Sequence, residues 1–151
     1  MKHLFLARHG DYNNEVYGSP LTENGRQQIQ RLAQTLKSII NPKSAHLVSS
    51  DRLRACQSAE ILAQELGLPK DFPKLEYLLG ECRDDLDNFI KLMDSRPEDA
   101  LLAVGHLELT MDFPKYYAME RQGKDCLASF GIDKGKCLHM DLERQTYRVL
   151  P

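Results

Sequence analysis

The chain has 151 residues, with 20 Lys and Arg against 22 Asp and Glu and a formal net charge of −2. That length fits one domain covering residues 1–151, able to bury roughly two-thirds of its unfolded surface. The charge balance speaks against a nucleic-acid partner, which leaves a basic footprint, and no segment reaches the length of a membrane span.

A near-neutral protein can still carry a local cluster of arginines for a small anionic substrate. The four cysteines, Cys56, Cys82, Cys126 and Cys137, are scattered and contain no C-x-x-C pair. Reduced thiols are therefore expected, with no metal site and no cofactor. The N-terminal apolar run is too short for a signal peptide, and a cytoplasmic location is expected.

Taken in order, the chain opens on Lys2–His3–Leu4–Phe5–Leu6–Ala7–Arg8–His9–Gly10. This short apolar run reads as a buried strand that ends at Arg8. Gly18, Ser19 and Pro20 punctuate the loop that follows. Thr22 then caps a helix with Ile29, Leu32, Ala33, Leu36 and Ile40 on one face, stopped at Asn41–Pro42. His46–Leu47–Val48 reads as a second strand, and Ser49, Ser50 and Asp51 are good N-cap types for a second helix. That helix carries Ala55, Ala59, Leu62, Ala63 and Leu66 on its apolar side and closes at Gly67 and Pro69.

Leu75, Tyr77, Leu78 and Leu79 suit either a short strand or an extended connection. A third helix carries Leu86, Phe89, Ile90 and Met93 and ends by Pro97. Ala100 to Gly105 is another buried strand, with His106 at its exit. Pro114 is expected to interrupt the helix that starts after it. The tail alternates as strands over Cys126 to Ile132, Lys136 to Leu142 and Thr146 to Leu150, with a turn at Asp133–Lys134–Gly135. The order predicts an α/β fold: a three-layer α/β/α sandwich with a mainly parallel sheet and antiparallel strands at its C-terminal end.

In such sheets ligands sit beyond the carboxyl ends of the strands. The first strand delivers Arg8 and His9 to that edge. The second delivers Ser49 and Ser50, then Arg52 and Arg54 in the first turn of a helix, and the last parallel strand delivers His106. Two imidazoles and two or three guanidiniums beside a helix N-terminus make a site for a phosphoryl group, because guanidinium forks match phosphate oxygens in pairs.

Four blocks carry a family resemblance: Leu6–Ala7–Arg8–His9–Gly10, Pro20–Leu21–Thr22–Glu23–Asn24–Gly25, Ser49 to Glu60, and Val104–Gly105–His106. In that order and spacing they resemble the histidine phosphatase superfamily, the phosphoglycerate-mutase-like phosphatases. The family pattern in the Ser49 to Glu60 block is Leu-x-Arg-Ala-x-Gln-Thr-Ala or close to it, so its arginine maps to Arg54, and Arg52 is expected on the helix surface. The resemblance implies that His9 attacks phosphorus and becomes a phosphohistidine that water then hydrolyses. It also implies that Arg8, Arg54 and His106 hold the phosphoryl oxygens without a metal. Gly10 is expected to let the backbone approach the bound phosphate.

The family's general acid maps to Glu81, with Asp84 and Asp85 as competitors. Neither Asn13 nor Asn14 falls in register with the family's loop asparagine, and Leu107–Glu108–Leu109 with Pro114 departs from its pattern after the second histidine. Between Arg54 and His106 the chain has one helix and no lid-forming insertion. That open site resembles the small SixA-type phosphohistidine phosphatases, which act on a phosphorylated protein. A small phosphomonoester, such as a sugar phosphate or nucleotide, is the alternative substrate, and a non-catalytic phosphate-binding module the alternative outside enzymes. The sequence leaves the oligomeric state open.

Overall fold

Alternation along the first strand places two helical layers. In the computed structural model, which describes residues 1–124 and 130–151, β1 runs His3–Arg8. Phe5 and Ala7 point into one core with Ile29, Leu32, Ala33 and Leu36 of α1 (Glu23–Lys37) and Ala55, Ala59, Leu62 and Ala63 of α2 (Leu53–Leu66). Leu4 and Leu6 point the opposite way, into a second core with Leu86, Phe89, Ile90 and Met93 of α3 (Arg83–Ser95) and Leu109 and Phe113 of α4 (Leu107–Gln122). The period of two along the strand against that of the helices gives one sheet between two helix pairs, the expected three-layer sandwich.

The remaining strands are β2 (Ala45–Ser49), β3 (Ala100–Gly105), β4 (Cys137–Asp141) and β5 (Thr146–Leu150). The sheet order is β2-β3-β1-β4-β5. β3 pairs in parallel with β1 and β2, which brings Arg8 opposite Gly105 and Ser49 opposite Val104. β4 runs antiparallel to β1, and β5 antiparallel to β4. The carboxyl ends of β1, β2 and β3 therefore share one edge.

Three expectations are revised. Pro114 does not interrupt α4, which runs through it to Gln122. Proline costs the bond to the Thr110 carbonyl, but the buried Leu109, Phe113 and Ala118 hold the helix on both sides of it. The stretch around Leu75 is a hybrid: Lys74 bridges to Ser49, Leu75 N–H donates to the Ser49 carbonyl at 2.7 Å, and Glu76–Leu79 winds into a 3-10 turn. In the tail, Phe130 to Ile132 form no strand, and the rest of the Cys126 to Ile132 prediction lies outside the described residues. Cys56, Cys82 and Cys137 are free thiols, the first and last buried. No described helix is long and apolar enough to cross a membrane.

Candidate active site

Each strand end supplies one part. β1 ends in Arg8 and His9, and the turn behind them is tightly packed. Gly10 N–H donates to Ser58 Oγ at 3.0 Å, and Ser58 Oγ donates to the Arg54 carbonyl at 2.8 Å. A side chain at Gly10 would meet the Gly25 carbonyl oxygen at 2.5 Å, and one at Gly25 would meet the Asp11 carbonyl oxygen at 2.1 Å. The close approach that requires Gly10 is thus to the first turn of α1. Thr22 caps that turn as predicted, its hydroxyl accepting from Gly25 N–H at 3.0 Å.

His9 is buried, 3% exposed. Its Nδ1 lies 2.8 Å from the Gly10 carbonyl, to which it can only donate. Neutral imidazole then carries its lone pair on Nε2, and Arg54 Nε donates to that atom at 3.2 Å. Burial, opposed by the Gly10 bond and reinforced by the charges of Arg54, Arg8 and Lys134, lowers the pKa of His9 from 6.5 to about 4.

His106, 4% exposed, stands with its ring centroid 5.1 Å from that of His9. Arg54 Nη2 donates toward His106 Nδ1 at 3.4 Å, so one guanidinium spans both imidazoles. The His106 proton then sits on Nε2 and donates to Ser50 Oγ at 2.8 Å. Burial first, then His9 and Arg54, lower the His106 pKa to about 3. Both rings are therefore neutral near pH 7, and an arriving anion would favour protonating His106.

Ser49, Ser50 and Asp51 do not cap α2. Its N-cap is Arg52, with no side-chain cap, because the Ser50 hydroxyl is occupied by His106 and the Arg52 N–H (3.2 Å). The first N–H groups of α2 stay open beside Arg54, a favourable end for an anion. Arg52 is exposed and lines the groove in front of the site, a closer position than a plain surface residue.

Arg8 is the looser member. Its Nη1 donates to the Ile132 carbonyl at 3.0 Å, and its buried Nε has no partner among the described residues. Its charge is nonetheless felt by both imidazoles. Glu81 is exposed in a groove of about 410 Å³ that also holds Tyr12, Arg52 and Arg54. Its N–H is held by the Asp85 carboxylate at 3.0 Å, which ties that competitor to a structural role. Gly80, with φ of 70° and Leu109 backbone 2.7 Å from where a Cβ would stand, seats this turn against α4.

Two residues escaped the sequence reading. The Tyr12 ring lies edge-on to His9 with centroids 5.3 Å apart, and the Arg54 guanidinium carbon sits 4.4 Å from its centroid. Lys134 Nζ is 5.0 Å from the same ring and pairs with Asp11 at 3.3 Å. Burial would raise the Asp11 pKa, but its bonds to Lys134 and Thr22 more than offset this and lower it. A tyrosine directly after Arg-His-Gly-Asp was the available signal.

Residues 4–76 match the family model of the histidine phosphatase superfamily (branch 1). Over 71 residues the chain is 39% identical to the "Probable phosphoglycerate mutase GpmB" of Proteus mirabilis (strain HI4320), a match covering 42% of this chain and 32% of that protein. The chain thus spans about a third of the length of the curated relatives it matches. Among solved structures, the protein histidine phosphatase SixA complexed with tungstate superposes with a TM-score of 0.70 at 20% identity, covering 99% of this chain and 94% of that one. A mycobacterial glucosyl-3-phosphoglycerate phosphatase complexed with VO3 superposes with a TM-score of 0.70 at 17% identity, covering 99% and 97%. These likenesses establish the histidine phosphatase fold.

Proposed function

We propose that the chain is a member of the histidine phosphatase superfamily, a reading supported by the match of residues 4–76 to that family's model, and that it is a metal-independent phosphatase acting through His9 on phosphohistidine carried by a protein. The observation that carries the reading is the fixed tautomer of His9, with Nδ1–H on the Gly10 carbonyl and the Nε2 lone pair held under Arg54. A neutral, buried imidazole with an oriented lone pair is a ready nucleophile.

In this reading Nε2 attacks phosphorus in line, and the leaving group departs opposite with the electron pair of its bond. Arg8, Arg54, His106 and the open N–H groups of α2 take up the charge on the equatorial oxygens. Those groups supply the positive charge a metal would otherwise bring. Water then attacks the phosphohistidine on His9, releasing inorganic phosphate and restoring the Nε2 lone pair. The fold's likeness to structures bound to tungstate and VO3 is in keeping with an oxyanion site.

The preference for a protein phosphohistidine is supported by the site's openness. Between α2 and β3 the chain carries only a 3-10 turn and α3. Glu81, exposed at the rim, suits a substrate whose imidazole leaves with less help from an acid than an alkoxide needs. One observation favours a small phosphomonoester instead: Glu81 lines the same groove as Arg54, where a general acid would stand.

Phosphate release from a histidine-phosphorylated protein domain and from an alkyl phosphomonoester separates the readings, run with wild type, Glu81→Gln and His9→Ala. The expected result is preference for the phosphorylated domain, persistence in Glu81→Gln and none in His9→Ala. Turnover in His9→Ala would overturn the nucleophile. Efficient alkyl-ester turnover lost in Glu81→Gln would establish the small-ester reading, and capture of the phosphorylated domain without phosphate release would establish a binding module.

A further inference from the structure

Six large hydrophobic residues are exposed among the described residues: Val16, Tyr17, Leu53, Met111, Met119 and Val149. Scattered singly, such residues need no explanation. Three of them, however, line one feature: Val16 (56% exposed), Tyr17 (93%) and Leu53 (45%) all border the groove that contains Arg54. They come from two separate segments, the loop between β1 and α1 and the first residue of α2.

The loop is built to present them. Val16 N–H donates to the Asn13 carbonyl, and the Val16 carbonyl accepts from both the N–H and hydroxyl of Ser19, at 3.3 and 2.6 Å. Further along, Leu21 N–H donates to Gln57 Oε1 of α2 at 2.7 Å. These bonds close the loop on itself and pin it to α2, which leaves Val16 and Tyr17 facing solvent.

We infer that Val16, Tyr17 and Leu53 form an apolar collar on which the protein bearing the phosphoryl group docks, an inference that rests on the phosphatase reading above. The centre of the surface is cationic, with Arg54 beside the two imidazoles, and its surround is apolar. Arg52 stands exposed next to Leu53 with no ion-pair partner among the described residues, while Asp51 and Glu81 border the same groove. A uniformly acidic partner would meet those carboxylates. A folded protein face with a phosphoryl anion at its centre, aliphatic or aromatic side chains around it and one carboxylate for Arg52 fits each part. A sugar phosphate or nucleotide would set hydroxyls and ring nitrogens against Tyr17 and Val16 and cover little of either.

The test compares a histidine-phosphorylated protein domain with phosphoimidazole, which carries the same bond and no protein. Phosphate release is measured for wild type, for Val16→Ser with Tyr17→Ser together, and for Leu53→Gln. The expected result is a fall of about tenfold or more in kcat/KM on the phosphorylated domain, carried by KM, with phosphoimidazole turnover unchanged. Unchanged turnover of both substrates, or an equal fall on both, would overturn the collar and leave the phosphatase reading standing. Absence of release from the phosphorylated domain by the wild type would overturn the protein-substrate reading and the collar with it, and that result is visible before any variant is made.

Discussion

Arg54 Nε donates to His9 Nε2 at 3.2 Å while Nη2 of the same guanidinium reaches His106 Nδ1 at 3.4 Å. One side chain thus fixes the lone pairs of two buried imidazoles. Arg54→Ala should lower kcat about 10²–10³-fold, the usual cost of losing a preorganised charged donor. Arg54→Lys should recover only a small part, because an ammonium cannot span both rings. Phosphate release under saturating substrate measures both.

The lowered pKa of His9 makes a statement about stability. Its unfolded-state value is about 6.5 and its folded value about 4, so between those limits the unfolded chain binds the extra proton. Stability is therefore unaffected above about pH 6.5 and falls as pH drops toward about 4. For a group this buried the full loss is on the order of 3 kcal/mol. Denaturant unfolding across that range should show the decline, and His9→Asn should reduce it to the part that His106, whose pKa is lowered to about 3, still contributes. An imidazole resonance of His9 titrating near 6.5 would contradict the assignment.

Much of this was legible in the sequence because it depends on period and position. The order of strands and amphipathic helices gave the layers, strand ends located Arg8, His9 and His106, and the family pattern told Arg54 from Arg52. What was not legible depended on contacts between distant segments. Ser50 looked like a cap until His106 claimed its hydroxyl. Pro114 looked like a break until packing around Phe113 carried the helix through. Tyr12 drew no functional reading from the sequence, and only the fold set it between Arg54 and Lys134. The turn containing Glu81 has no periodicity, so neither its exposure nor the bond between its N–H and Asp85 could be read from sequence.

The packing of Gly25 against Asp11 gives a prediction independent of chemistry. A methyl group there would sit 2.1 Å from the Asp11 carbonyl oxygen and 2.7 Å from its nitrogen, both backbone atoms. Gly25→Ala must therefore displace either α1 or the Arg-His-Gly turn, at a cost of roughly 1–3 kcal/mol or more. Chemical denaturation should show that loss, and activity should fall with it because His9 is held by the same turn.

Tyr12 holds two cations on one ring, at 4.4 and 5.0 Å from its centroid. Each such contact is worth about 0.5–1 kcal/mol at an exposed site. Tyr12→Ala should release Arg54 from its pose and lower kcat/KM roughly five- to tenfold. Tyr12→Phe keeps the π face and should stay within about twofold of the wild type. Equal losses in both variants would assign the role to the hydroxyl instead.

Ser50 presents the most specific hydrogen-bond test. Its Oγ accepts from His106 Nε2 at 2.8 Å and from Arg52 N–H at 3.2 Å, so it fixes the ring and the entrance to α2 together. Ser50→Ala leaves a buried imidazole N–H without its acceptor, which costs about 1–3 kcal/mol. Neutral His106 can escape part of that cost by moving its proton to Nδ1, where it meets the Arg54 guanidinium and loses the bond at 3.4 Å. The variant should therefore lose both stability and kcat, whereas Ser50→Thr, which keeps the hydroxyl, should retain most of each. Unfolding and phosphate release measured on the same preparations would separate the two effects. A loss of stability with unchanged kcat would restrict Ser50 to holding the helix entrance.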